Sequence, residues 1–435
     1  MKNKTIKNAA WIIGCRLVQS VLGLVVTMIS ARCLEPSGYG LINYAASIVA
    51  FFVPIMQLGF NATLVQELVD HPEQQGQTMG TALLLCGASS LSCILGISVV
   101  SLVLNLGETK TIIVCILYSV LLIFQSIEMI QYWFQAKLLS KYTSVTILLA
   151  YVIISAYRII LLVTEQSIYW YAISQALDFA IIAITLLIIF KKISNIKLSF
   201  SWNRAKKMLS KSKHYILSGL MITVFAQTDR VMLKAMIDES AVGFYSAAVS
   251  CASLTAFVFV AIIDSARPTI LQGKKESTAS FKNKMKILFF IVIFLALSQS
   301  AVITIFAPLV IRLLYGSAYG ESVTALRIIV WYTTFSYLGA ARDVWILSEG
   351  KQKYLPLINL SGALANVVLN GLMIPFWGVN GAAIASLITQ IFTNVIIGWI
   401  IKPIRPCNKL MLQSLDLKFV VKTLKNFLKR KERVS

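Results

Sequence analysis

Two polar stripes run through otherwise apolar stretches of this chain. Arg16, Gln19, Gly23, Thr27 and Ser30 recur at intervals of three and four residues, and Thr223, Gln227, Arg230 and Lys234 do the same. That spacing puts each set on one face of an α-helix. A guanidinium presents a planar fork of donors, an ammonium presents a point charge, and a low-dielectric cleft strengthens the pull of either on phosphate. If both faces turn toward one hydrated cavity, a pyrophosphate headgroup is the natural guest. Arg158, together with Arg312, Arg327 and Arg342, would enlarge the same field. A structural reading competes: Arg230 pairs with Asp229 or Asp178, Arg342 pairs with Asp343, and cations near helix ends reach out to the interface.

The acids within apolar runs are Glu128, Asp178, Asp229 and Asp264. An ionisable group inside a bilayer is expensive and usually faces protein or water, so each is a candidate for coupling to protons or sodium ions. Each is equally a candidate for a salt bridge or a helix-packing contact. Glu128 shares a helical face with Gln125, Tyr132 and Gln135, which points it into the protein. Asn359, Asn366 and Asn370 share another face, as do Gln390 and Asn394; they suit either sugar hydroxyls or hydrogen bonds between helices. The two histidines, His71 and His214, lie far apart, and no cysteine pair has CxxC spacing, so neither a metal centre nor any other cofactor is expected. Cys15, Cys86, Cys93, Cys115 and Cys251 lie in apolar segments and read as free, buried thiols.

The elements that must hold these residues are transmembrane helices. The chain has 435 residues, 57% hydrophobic and 13% charged, with mean hydropathy +0.77. An average soluble domain carries roughly twice that charged fraction. Apolar runs of about 20 residues, the length one bilayer crossing needs, fall near 9–32, 41–60, 79–104, 111–134, 144–163, 168–190, 214–237, 243–265, 287–314, 323–347, 354–374 and 379–401. This predicts an all-α integral membrane protein of about twelve spans. Lys2, Lys4 and Lys7 precede the first run, which has no small-residue cleavage site and so reads as an uncleaved helix.

The formal charge of +22 lies almost wholly in alternate gaps between spans and in the tail. Basic residues near a span resist export, so both termini are expected in the cytoplasm; the distribution argues for topology and against nucleic acid as a partner. One gap on the inner side, with Glu67, Asp70 and Glu73, has no basic residue and dissents. After Pro406, Leu417, Val420, Val421, Leu424, Phe427 and Leu428 line one face and Lys418, Lys422, Lys425 and Lys429 another, which reads as an interfacial helix on anionic lipid. Trp202 to Lys213 reads as a second surface segment.

LEPSGYGLINYAASI (34–48) aligns with IDESAVGFYSAAVSC (237–251). With the span count, this predicts two pseudo-symmetric six-helix bundles, 1–190 and 214–401, joined by a basic cytoplasmic linker, 191–213, and followed by the basic tail, 402–435. No loop on the outer side exceeds about ten residues, which leaves no room for an external catalytic domain.

NAAWIIGCRLVQS, ARCLEPSGYGLINYAASI, LGFNATLVQELV, TDRVMLKAMIDESAVGFYSAA, APLVIRLLYGSAYGESVTALRI and LSEGKQKYLPLINLSGALANVVLNGLMIPFWGVNGAAIAS follow one another in order along nearly the whole chain. In these segments the chain resembles the Wzx-type polysaccharide-repeat (O-antigen) flippases of the multidrug/oligosaccharidyl-lipid/polysaccharide exporter superfamily. The resemblance implies a pair of six-helix bundles, no covalent catalysis and no cofactor. It implies export of undecaprenyl-pyrophosphate-linked oligosaccharide repeats for O-antigen, capsule or a related glycan, with coupling to a proton or sodium gradient. Membrane lipids, a polysaccharide polymerase and chain-length proteins are the partners it suggests. Arg16, Arg230, Lys234 and Arg158 fit the idea of a cationic cavity. A lipid II or multidrug exporter of the same fold is the alternative, and a membrane-embedded polymerase a more distant one. Drug cations would prefer an acidic, aromatic cavity, and a polymerase would need a large outer loop.

Overall fold

A computed structural model describes residues 2–416 and Phe419, the side chains of residues 2–14, 16, 17, 20 and 21 excepted. The described residues are helical almost throughout and contain no strand. The interfacial helix expected over 417–429 lies outside them, Phe419 aside.

By compactness the chain divides into two units, Met1–Gly243 and Phe244–Ser435. The first holds α1 (Lys2–Met56), α2 (Phe60–Asp70), α3 (Gln75–Leu104), α4 (Thr109–Ser119), α5 (Leu121–Glu128), α6 (Gln131–Ala136), α7 (Ser140–Val163), α8 (Ile168–Ile193) and α9 (Trp202–Met236). The boundary falls inside α10 (Glu239–Ala252). The second holds α11 (Ala256–Glu276), α12 (Thr278–Leu314), α13 (Ser322–Ser348), α14 (Leu355–Ile391), a π-turn at Phe392–Ile396, α15 (Ile397–Ile400) and α16 (Arg405–Gln413). Compactness thus gathers α9, the first helix of the anticipated second repeat, with the first unit.

Nine helical stretches among the described residues are long and apolar enough to cross a membrane. Two of them, Leu22–Asp70 and Gln352–Ile400, run to 49 residues, about twice what one crossing requires. Each is broken, at Glu35 (φ 56°, ψ 175°) and at Gly378 (φ 55°, ψ −130°). Glu35 precedes Pro36, whose ring disfavours the helical conformation for the residue before it, so the chain turns here without a long loop. Counting both halves of each broken stretch gives eleven, and the 27-residue α13, which is not among the nine, covers the run predicted at 323–347.

Lipid rather than water sets the distribution of side chains. Leu95, Val103, Ile305 and Phe376 are more than 60% exposed, whereas Ser30, Ser47, Thr78, Thr81, Ser90 and Ser300 are buried. Small and hydroxyl-bearing residues let helices approach closely where the surrounding solvent is itself apolar. In the second unit, Phe259 stacks on Tyr337 with centroids 3.9 Å apart, at the centre of a core that includes Phe289 and Trp345.

The acidic gap that dissents from the charge rule has a partner. Residues 194–200 run extended beside the start of α3, where the Ser199 N–H donates to the Gly76 carbonyl (3.2 Å) and the Ser201 N–H to Thr81 Oγ1 (3.0 Å). Arg204 then donates to Thr78 Oγ1 (3.0 Å) and stands 3.9 Å from Glu67, which also pairs with Lys211. Basic linker and acidic gap therefore occupy one side of the first unit, and the linker supplies the positive charge that the gap lacks. The surface segment expected at 202–213 is continuous with the following span as the 35-residue α9. At 1.5 Å per residue this helix is about 52 Å long, more than the roughly 30 Å of hydrocarbon.

Candidate functional site

Arg158 on α7 is half-buried and reaches across to α8. Its Nε donates to Ser174 Oγ (2.8 Å), its Nη2 donates to Gln175 Oε1 (2.6 Å), and its guanidinium lies 5.6 Å from the centre of the Tyr171 ring. Ser174 Oγ donates onward to the Tyr171 carbonyl at 2.6 Å, and the Tyr171 hydroxyl bonds Ser30 of α1. Among the described residues Arg158 makes no ion pair: its donors are met by a hydroxyl, an amide and a π-face. Asp178, one turn further along α8, interacts with it only electrostatically, and one oxygen of that buried carboxyl has no hydrogen-bond partner among the described residues. The α8 residues Tyr171, Ser174, Gln175 and Asp178 form a stripe at i, i+3, i+4 and i+7, a signal present in the sequence that a search led by cations passes over.

Glu128 at the end of α5 is buried and accepts from Gln131 Nε2 at 3.3 Å. Its helix α5 packs against α8, which carries Asp178, so the structure brings two of the four acids proposed for ion coupling onto neighbouring helices. The other two go elsewhere. Asp229 is buried on α9, and Asp264 is an exposed group on α11 paired with Arg267 at 3.3 Å.

Lys234 is buried near the end of α9 and is held between two carboxylates, at 2.8 Å from both oxygens of Glu108 and 3.0 Å from Glu239. Thr111 Oγ1 donates to Glu108 (2.9 Å) and to Glu239 (3.4 Å). The hydrogen bond from Lys234 holds the Glu108 carboxyl below the usual glutamate range. One ammonium beside two carboxylates leaves a local excess of negative charge, so Lys234 in this state does not present the cationic face expected of it. Arg230, by contrast, is half-buried and donates to Gln227 Oε1 (3.0 Å), which also accepts from Ser47 Oγ (3.0 Å) on α1. The α9 stripe therefore lies against α1 at Gln227. The side chain of Arg16 falls outside the described residues.

Glu239, one of the two carboxylates on Lys234, belongs to the second of the aligned segments, which packs closely on the first. A β-carbon added at Gly40 would collide with the Glu239 carbonyl, and one added at Gly243 would collide with the Pro36 carbonyl. Gly40 and Gly243 are equivalent in the aligned segments, and so are Pro36 and Glu239. The contact is reciprocal, as in an isologous pairing of like elements.

None of the seven cysteines is bonded to another. No group of three His, Cys, Asp or Glu gathers among the described residues.

A family model described as "Polysaccharide biosynthesis protein" matches residues 5–274, more than half of the chain. The chain belongs to the polysaccharide biosynthesis protein family. This family member is 20% identical over 406 residues to the capsular polysaccharide biosynthesis protein CapF of Staphylococcus aureus, an alignment covering 88% of this chain and 96% of CapF. Its fold is shared by proteins of known structure. It is similar to a multidrug resistance MATE family transporter in its inward-facing conformation, with TM-score 0.69 and 14% identity over 91% of this chain and 96% of that one. It is also similar to the lipid II flippase MurJ in an inward closed conformation, with TM-score 0.56 and 14% identity over 95% and 92% of the two chains. The polysaccharide biosynthesis protein is thus an all-α, multi-pass membrane protein.

Proposed function

We propose that this chain flips undecaprenyl-pyrophosphate-linked oligosaccharide repeat units across the bacterial cytoplasmic membrane by alternating access, with both termini in the cytoplasm and without covalent catalysis. A glycan and a pyrophosphate cannot cross about 30 Å of hydrocarbon unaided, since each unsatisfied polar group costs several kcal/mol there. The observation that carries the reading is Arg158, an intramembrane guanidinium whose donors meet neutral groups and whose charge no hydrogen-bonded carboxylate cancels. Arg230, bonded to Gln227, supports it on α9, and Arg16 is the third cation of the proposed path. Glu128 and Asp178, two buried acids on the packed helices α5 and α8, are the pair we assign to coupling with a proton or sodium gradient. The aligned turns and their reciprocal glycine contact support a repeat organisation of 1–190 and 214–401 around a basic linker. Lipid II, which shares the pyrophosphate-sugar chemistry, is the competing cargo.

The test is deletion of the gene in its host, followed by locating the lipid-linked repeat. Accumulation on the cytoplasmic face, relieved by the wild-type chain and not by Arg158→Ala or Arg230→Ala variants that insert normally, is the expected result. Delivery to the outer face without the protein would overturn the reading.

A further inference from the structure

A cavity of about 170 Å³ opens in the first unit where α1, α6 and α7 meet. Its polar lining is Gln19 of α1, Gln131 and Gln135 of α6, and Ser140, Thr143 and Ser144 of α7, beside a thiol and one aliphatic side chain. Helical geometry makes these faces converge. Gln131 and Gln135 are one turn apart, and Trp133, two residues from each, points to the opposite side. There Trp133 is buried edge-on against Phe190 (centroids 4.9 Å apart) and donates to Gln75 Oε1 at 3.2 Å. The short α6 is thereby anchored by its apolar face, with both carboxamides turned to the cavity. Ser140, Thr143 and Ser144 likewise share one face of α7.

The lining has a definite chemistry. Among the described residues it holds three carboxamides and three hydroxyls, with no acid and no base. A carboxamide offers two donors and an acceptor, and a hydroxyl donates once and accepts twice. A drug cation would call for a carboxylate and a phosphate for a guanidinium or ammonium. Ring hydroxyls, each both donor and acceptor, are met by this mixture. Thr143 is nine-tenths buried, yet its hydroxyl has no partner among the described residues. That oxygen is closed off from the cavity by its neighbours, so the three carboxamides and the hydroxyls of Ser140 and Ser144 are what an occupant meets. The volume lies below the 300–1,000 Å³ typical of drug-sized sites, which suits one ring rather than a whole repeat unit. Gln131 also donates to Glu128, so an occupant would sit next to one of the two proposed coupling acids.

We propose that this cavity is a recognition subsite for a single uncharged, hydroxyl-rich sugar ring. The proposal rests on the flippase reading, under which the ends of the spans that line the cavity lie on the cytoplasmic, loading side.

The experiment measures binding to the full-length protein in nanodiscs, using undecaprenyl pyrophosphate bare and capped with glucose, galactose or N-acetylglucosamine. At least one capped lipid should bind the wild type about tenfold more tightly than the bare lipid, a difference of about 1.4 kcal/mol. The Ser144→Ala/Gln135→Leu double variant should lose that preference while binding the bare lipid as the wild type does, which also shows that it is folded. Ser144→Thr, which keeps the hydroxyl, should retain the preference. Equal binding of bare and capped lipids by the wild type, or a variant weakened equally toward both, would overturn the subsite alone. Binding of none of the lipids would overturn the flippase reading and the subsite with it.

Discussion

Lys234 and Arg158 are both cations within helices long and apolar enough to cross a membrane, and the first unit treats them in opposite ways. Lys234 is enclosed by the carboxylates of Glu108 and Glu239. Arg158 is held by Ser174, Gln175 and the face of Tyr171. Lys234 has an acceptor oxygen for each of its three donors, and Arg158 hydrogen-bonds through two of its five. They differ in the field left behind: the first sets one ammonium against two hydrogen-bonded carboxylates, whereas the second leaves a guanidinium hydrogen-bonded to neutral groups, with a single carboxyl, Asp178, near it. Cation type matters too, because the planar fork of arginine can be met by neutral acceptors without bringing in a counter-charge. A basic residue in a membrane span is therefore a candidate ligand for an anion only when its neighbours are dipoles. Lys234 reads as a fastener between the turn that carries Glu108 and the start of α10 at Glu239, and Arg158 as a group available to cargo.

The sharpest way to break this contrast is to remove each cation in turn and measure flipping of a lipid-linked repeat in proteoliposomes. Arg158→Ala should lower the rate about a hundredfold, equivalent to about 2.7 kcal/mol. Arg158→Lys should recover part of it, since the charge returns without the fork. Lys234→Met should change the rate less than about threefold. The reverse ranking would show that the Lys234 site, not Arg158, meets the cargo.

The second largest effect should come from the backbone beneath Lys234. Gly40→Ala or Gly243→Ala forces a methyl group into the carbonyl of the opposite turn, and overpacking of this kind destabilises by roughly 1–3 kcal/mol. Gly87→Ala, with its nearest neighbour atom at 4.0 Å, is the control. Both turn variants should lower the thermal midpoint while leaving the affinity for lipid pyrophosphate intact. A loss of affinity without a loss of stability would place cargo at the turns. Lys234→Ala comes next: it strands two carboxylates, but Glu108 is 43% exposed and Glu239 24% exposed. Water can replace part of the lost pairing, so the loss should be roughly 1–2 kcal/mol. Adding Glu239→Gln to Lys234→Ala should restore part of it.

The sequence reveals the spans and their order, because bilayer length acts locally along the chain. It reveals the polarity of a helical face equally well: Gln227 and Arg230 do lie together on α9. It does not reveal what stands across from that face. The spacing of Thr223, Gln227, Arg230 and Lys234 is uniform, yet Arg230 bonds its own neighbour while Lys234 finds Glu108, 126 positions away in the chain. The acidic gap at Glu67 shows the same limit. Its partners Arg204 and Lys211 belong to the linker, and charge statistics taken gap by gap cannot see them. The Tyr171, Ser174, Gln175 and Asp178 stripe is as regular as the one on α9, but its members are neutral apart from Asp178. Hydroxyls and amides gain their meaning here from the guanidinium they surround, which only the packing of α7 on α8 supplies.

The smallest effect sharpens the contrast by titration. Glu108 lies in the turn between α3 and α4, and its carboxyl is held below the ordinary range chiefly by the hydrogen bond from Lys234. A depressed folded value means that the folded state prefers the carboxylate. The stabilisation is therefore fully present above the unfolded value, near 4.3, and is lost as pH falls through the lower folded value. Because Glu108 is 43% exposed, solvent screening should keep the contribution below about 1 kcal/mol. The thermal midpoint of the wild type should exceed that of Glu108→Gln at pH 7, and the two should converge as the medium is acidified below the ordinary glutamate range. In the Lys234→Met background, where the hydrogen bond is gone, the same Glu108→Gln comparison should show no such convergence. A pH-independent gap in the wild-type background would mean that Glu108 contributes by shape and not by charge, and the account of Lys234 as a neutralised fastener would fail with it.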